Sequence, residues 1–91
     1  MNIVAQKCKE LLHQNGINIL SEIDFEINKE VKTLSFEYII DTYMKASNES
    51  QLVFLTALDK SIKAENNGAR KFFEGMGQLL LLTHLSKNIE A

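Results

Sequence analysis

The chain of 91 residues has the size of one small domain, so we expect a single helical domain over residues 1–91. Hydrophobic residues make up 45% of the sequence, which excludes a disordered protein, and no apolar run approaches the roughly 18 residues of a membrane span. Ten basic and twelve acidic residues give a net charge of −2, and the basic residues are scattered, so neither nucleic acid nor a membrane is an expected partner.

The cysteine content and the first residues indicate a compartment. The single cysteine, Cys8, cannot form an internal disulfide, which is typical of a reducing environment. The opening residues lack the apolar segment of a secretory signal. We therefore expect a cytoplasmic protein.

The first predicted helix covers roughly residues 2–15. Its apolar side carries Val4, Cys8, Leu11 and Leu12. Asn15-Gly16 predicts the end of the helix, because glycine readily adopts the left-handed conformation found there. The position of Cys8 on the apolar side predicts a small core residue rather than a nucleophile.

Residues 17–34 support two interpretations. Apolar residues at odd positions suit a half-buried strand, and residues 28–30 could turn it into a hairpin with the remainder. A helical spacing of the apolar residues fits equally well, with Ser21 as the cap. The helix is favoured, because an isolated two-stranded hairpin is marginal and the sequence offers no third strand.

Two further helices follow. One begins after Ser35, a good N-cap residue, and ends near Ala46. Its apolar face consists of Phe36, Ile39, Ile40, Tyr43 and Met44. The next covers about residues 49–65, with Ser47-Asn48 as its cap, and its apolar stripe is Leu55, Leu58 and Ile62. Residues 52–55, LVFL, are apolar around the whole helix, which is more than one small core readily buries.

The last helix is predicted from Ala69 to about Lys87, after a left-handed ending at Gly68. Its expected core stripe is Phe72, Phe73, Met76, Leu79, Leu80 and Thr83. Gly75 and Gly77 each cost such a helix about 1 kcal/mol relative to alanine. We expect a neighbouring helix to approach closely there, with a local kink as the second explanation.

A second apolar face develops at the end of this helix. Leu81, Leu82 and Leu85 project away from the core stripe, on the side that carries Gln78. Either the last helix is central and buried on all sides, or these residues contact a second copy of the chain or another protein. We favour the interface, formed by Gln78, Leu81, Leu82 and Leu85.

The favoured fold class is therefore all-α, a compact bundle of four to five helices with short loops. The alternative is an α+β fold with a β-hairpin at about residues 17–34.

Two short motifs have a residue spacing that is found in functional sites. Glu10 and His13 have the spacing of metal ligands on one helix face, but a carboxylate-bridged site needs a second such motif, and His84 lacks a matching carboxylate. Residues 63–77 have the small residue and glycine of a helix-turn-helix, but Glu74 occupies the position where an apolar residue is needed. We expect no catalytic residue, metal or cofactor.

The functional expectation is a small non-enzymatic interaction or regulatory module, a homodimer that presents a helical surface to a protein partner. The alternative is a small nucleic-acid-binding transcriptional regulator. Its basic corner would consist of Lys60, Lys63, Arg70 and Lys71.

Overall fold

A computed structural model describes residues 2–90 of the chain, with side chains for residues 2–83. Along this backbone one helix is followed by two strands and three more helices. The elements are α1 Ile3–Gln14, β1 Glu22–Ile27, β2 Glu30–Ser35, α2 Phe36–Tyr43, α3 Asn48–Ala64 and α4 Gly68–Glu90. The helical part of the predicted bundle is confirmed, and a hairpin is added to it.

Helix α1 begins and ends where the sequence predicts. The Asn2 side chain accepts a hydrogen bond from a backbone amide of the first turn at 2.9 Å, which is N-cap geometry. Gly16 follows the helix with a φ of 72°. The amide of Ile17 donates back to the carbonyl of Leu12 at 2.9 Å, so the helix closes in the glycine-terminated manner expected from Asn15-Gly16.

Strands β1 and β2 form an antiparallel hairpin, so the favoured helical interpretation of residues 17–34 is wrong and the α+β alternative is correct there. Asn28 and Lys29 form the two-residue turn, with φ of 53° and 67°. Positive φ at both positions is the type I′ geometry, whose twist matches that of the paired strands.

The hairpin persists because helix α4 covers it. Ile23 and Phe25 alternate inward and are buried, and the Phe25 ring lies against Gly77 of α4. A Cβ atom at Gly77 would come within 2.5 Å of the Phe25 Cζ atom. A hairpin can gain apolar cover from a helix as well as from a third strand, and here a helix supplies the cover that an isolated hairpin lacks.

The core centres on Phe73 of α4. Its ring stacks on Phe36 with the ring centroids 4.4 Å apart, and Phe54 lies 6.3 Å away. The fully buried side chains come from four of the elements and include Cys8, Leu12, Ile39, Ile40, Leu58 and Phe73. The predicted apolar faces of α1 and α2 are therefore confirmed.

The turn between α3 and α4 differs from the prediction. Asn67, with a φ of 62°, is the left-handed residue, whereas Gly68 is the first residue of α4. Gly68 is buried, and a Cβ atom there would collide with the backbone of Ser61. A glycine is needed at this point because the two helices approach closely, not because of its φ.

The core stripe of α4 is also displaced from the predicted one. Leu79 is 55% exposed, and Thr83 is exposed as well. Leu81 takes the place expected of Leu79, because it is partly buried and packs against the core cluster. The Tyr43 hydroxyl donates to the Met76 carbonyl at 2.7 Å and fixes α2 against the middle of α4.

Candidate functional site

The structure separates the residues that the sequence assigned to an interface. Gln78 and Leu82 are exposed, whereas Leu81 is half-buried against the core. The side chain of Leu85 lies outside the described side chains. Part of the predicted interface therefore lies on the surface, and its inner edge belongs to the fold.

The exposed side of α4 carries a neutral, mainly apolar stripe. It consists of Gly75, Gln78, Leu79 and Leu82, which we call the α4 outer face. Leu79 and Leu82 are 55% and 49% exposed. Spacings of three and four residues place all members on one side of a helix, as in the seam of a helix pair. This is the geometry that accepts a second helix.

Gly75 has no structural explanation inside the molecule. A Cβ atom at this position would meet no atom within 4 Å apart from its own stretch of helix, and the residue is exposed in the middle of α4. An interior helix glycine costs about 1 kcal/mol relative to alanine, so a glycine with open space around it gives the fold nothing in return. Its absent side chain leaves room for the close approach of another chain.

A groove of about 620 Å³ borders the α4 outer face. Helix α2 contributes Tyr38 and Thr42 to one wall, and α4 contributes Leu79 and Leu80 to the other. Tyr38 is 52% exposed, so its ring adds apolar surface next to Leu79. The apolar surface of α4 therefore continues sideways onto α2.

Helix α3 carries a second exposed apolar surface. The sequence indicates excess apolar residues in the LVFL run but does not show which of them are exposed. Leu52 and Val53 are 55% and 63% exposed. They form a shallow depression of about 390 Å³ with four neighbours on the same helix. This α3 outer face consists of Glu49, Leu52, Val53, Thr56, Ala57 and Lys60.

The opposite side of α3 buries a polar residue. Gln51 donates hydrogen bonds from its amide to the carbonyls of Met44 and Ala46, at 3.0 and 2.9 Å. Its carbonyl accepts one from Asn2 at 3.1 Å. Gln51 thereby ties the end of α2 and the start of α1 to α3, which fixes the rotation of α3 and turns Leu52 and Val53 outward. The N-cap of α3 is Ser47, which lies in the Ser47-Asn48 pair predicted to cap this helix.

The basic corner predicted from the sequence is largely charge-balanced. Lys63 lies 3.0 Å from Asp59, and Lys71 lies 3.1 Å from Glu65. Arg70 lies 3.4 Å from its helical neighbour Glu74. Each of these cations has a carboxylate beside it, so the corner offers a phosphate less net positive charge than the sequence indicates.

The remaining chemical candidates are Glu10 and His13, which share one exposed side of α1, and the buried Cys8. The Glu10 carboxylate accepts a hydrogen bond from Gln6 at 3.3 Å, and both Glu10 and His13 are exposed on α1. Within residues 2–83, no three His, Cys, Asp or Glu side chains gather in a group able to hold a metal. Cys8 is fully buried, and burial raises the pKa of its thiol to about 11, which disfavours the nucleophilic thiolate.

None of the helices in the described part of the chain combines the length and the apolar character needed to cross a membrane.

No protein-family model matches this chain, and comparison with curated proteins and with solved structures finds no match either.

Proposed function

We propose that the protein is a non-enzymatic interaction module, a cytoplasmic homodimer that presents the α4 outer face to a protein partner. The observation that carries the proposal is Gly75, an exposed helix glycine where a Cβ atom would meet nothing beyond its own stretch of helix, in line with the exposed Leu79 and Leu82. A glycine in a helix interior lowers the stability of the helix. A contact with another protein molecule at this point would explain why a glycine is present.

The chemistry of the α4 outer face defines the kind of partner. Gln78 is its polar member, and none of the four residues is charged. The exposed Lys71 lies one helical turn before Gly75, and Lys45 lies in the adjoining groove. An amphipathic helix with a leucine or phenylalanine opposite Gly75 would fill the open space and cover Leu79 and Leu82. The groove beside Tyr38 would receive a further apolar side chain of that partner.

The test is a quantitative comparison of protein partners bound by tagged variants in the cells that produce the protein. The variant Leu79→Glu with Leu82→Glu places two charges on the α4 outer face. Both residues are about half exposed, so the fold should tolerate the change, and circular dichroism checks this. We expect specific partners of the unmodified protein to be lost.

The control is Glu10→Lys, which changes the charge at an exposed position of α1 by two units in the opposite direction. It should retain the same partners as the unmodified protein. Partners that bind all three proteins equally would contradict a role for the α4 outer face.

The nucleic-acid alternative has less support, because three of its four basic residues are each beside a carboxylate. Binding of DNA or RNA by that corner would weaken steeply as salt is raised. A flat or absent response in a filter-binding assay would remove the alternative.

A further inference from the structure

The α3 outer face has a feature that the α4 outer face lacks, namely a charge at each end. Glu49 lies at the N-terminal end of the face and Lys60 at the other, about 16 Å apart along the axis at roughly 1.5 Å per residue. Between them lie the apolar Leu52 and Val53. Among the side chains of residues 2–83, neither Glu49 nor Lys60 has a salt-bridge partner.

This arrangement is complementary to itself when a second α3 lies antiparallel. A two-fold axis between residues 54 and 55 brings Glu49 beside Lys60 of the partner subunit, twice. The same register places Leu52 opposite Ala57 of the partner subunit. Val53 then faces Thr56 of the partner subunit, so each large apolar side chain meets a smaller residue, which is how packed helices interdigitate.

The smaller residues suit a close approach. The Thr56 hydroxyl donates to the Leu52 carbonyl of its own helix at 2.9 Å, so its hydrogen-bonding need is met without a partner. Thr56 can therefore present its methyl group across the contact, and Ala57 adds no polar atom. No side chain of the face between the two charged ends needs a hydrogen bond from water.

A parallel arrangement fits less well. It would place Glu49 beside Glu49 of the partner subunit and would pair the two Lys60 residues, so both ends would repel. The antiparallel arrangement also aligns the helix dipoles favourably. The charges therefore choose one direction and one register.

We propose that the α3 outer face is the homodimer interface, with two α3 helices packed antiparallel and closed at both ends by Glu49 and Lys60 of the partner subunit. The inference rests on the homodimer in the proposed function and leaves the α4 outer face free for a different protein. Since one helix from each subunit gives an interface smaller than the roughly 1,200 Å² of a stable complex, we expect dissociation at micromolar concentration.

Charge reversal across the two-fold axis tests the interface. Glu49→Lys places a lysine beside each Lys60, and Lys60→Glu places a glutamate beside each Glu49, so each single variant should weaken dimerisation roughly tenfold or more. The variant carrying both reversals restores two opposite-charge pairs and should dimerise like the unmodified protein. Sedimentation equilibrium over a range of concentrations gives the dissociation constants.

Mixing the two single variants gives the most specific test of the interface. A subunit with Glu49→Lys carries two positive ends, and a subunit with Lys60→Glu carries two negative ends. An equimolar mixture should therefore form heterodimers near 20.6 kDa, twice the chain mass of 10.3 kDa, at concentrations where each variant alone is monomeric. Thermal melting of both variants checks that they are folded.

Control variants separate this contact from general charge effects. Lys7→Glu and Glu26→Lys change exposed residues on α1 and β1 by the same charge and should leave the dissociation constant unchanged. A dimer that is insensitive to reversals at residues 49 and 60, or a double variant that stays monomeric, would overturn the inference.

Other outcomes also distinguish the inference from the proposed function. A dimer that is broken by Leu82→Glu but not by Glu49→Lys would place self-association on α4 and reject the α3 interface. An unmodified protein that is monomeric at hundreds of micromolar would reject the α3 interface outright, and partner loss in the Leu79→Glu, Leu82→Glu variant would still support the α4 outer face as a binding surface.

Discussion

Gly77 and Gly75 lie two residues apart on α4 and have opposite surroundings. At Gly77 the Phe25 ring and the Ile39 side chain occupy the space that a Cβ atom would take, within 2.5 and 3.2 Å. At Gly75 a Cβ atom would have no atom within 4 Å other than those of the adjacent residues and helix backbone. Packing within the fold explains the inward glycine, Gly77, but does not explain the outward one, Gly75. The two sides of α4 are therefore under different structural constraints.

The largest expected effect comes from a glycine on the inward side. Gly68→Ala places a methyl group against the backbone of Ser61, which cannot move without separating α3 from α4. We expect a loss of about 3 kcal/mol in the free energy of unfolding, measured by urea denaturation. The same substitution at Gly75 is the control, and similar losses at both positions would break the distinction between the two sides.

The second prediction compares an inward-facing and an outward-facing residue of α3. Gln51→Ala removes three hydrogen bonds and leaves the carbonyls of Met44 and Ala46 without this donor, so we expect a loss of about 2 kcal/mol. Leu52→Ser, on the neighbouring outward position, should change the monomer by no more than about 0.5 kcal/mol. Chemical denaturation at low concentration measures both, and a larger loss for Leu52→Ser would place Leu52 in the core.

A third prediction concerns the contact between the hairpin and α4. Gly77→Ala gains helix propensity but forces the Phe25 ring to shift, for a net loss of about 1 kcal/mol. Combining it with Phe25→Leu, which removes the obstructing ring atoms, should give a double variant more stable than the sum of the single effects. Strict additivity in this double-mutant cycle would show that the two residues do not share the space.

The smallest expected effect is a gain in stability rather than a loss. Gly75→Ala fills open space in a helix interior and should stabilise the free protein by up to about 1 kcal/mol. Thermal melting measures the gain. If the proposed partner approaches at this point, the added methyl group should weaken its binding, so one substitution would raise stability and lower affinity. Unchanged affinity would leave Gly75 outside the contact.

Sequence reasoning was most successful where the signal is local. The cap residue Ser35, the glycine ending at Gly16 and the apolar face of α2 follow from neighbouring residues alone, and all are confirmed. The hairpin was only the second choice for residues 17–34, because the deciding contact joins Phe25 to Gly77, which are distant in the chain. No periodicity within residues 17–34 contains that information.

The surfaces show the same limit. The sequence indicated that the end of α4 and the LVFL run carry more apolar residues than one core needs. Which leucines turn outward depends on helix rotation, and tertiary contacts set this rotation. Gln51 orients α3, and the bond from Tyr43 to Met76 helps to orient α4. Leu79, which was expected in the core, is therefore exposed, and Leu81, which was expected on the outer side, packs against the core.

The contact between Phe25 and Gly77 also has a consequence for the order of folding. The hairpin closes locally through a two-residue turn, but Phe25 lacks the cover of α4 until that helix arrives. During synthesis from the N-terminus, residues 22–35 therefore emerge from the ribosome well before the helix that stabilises them. We infer that their amide hydrogens remain exchangeable until the last quarter of the chain is available, so amide exchange in the hairpin reports on whether α4 is in place.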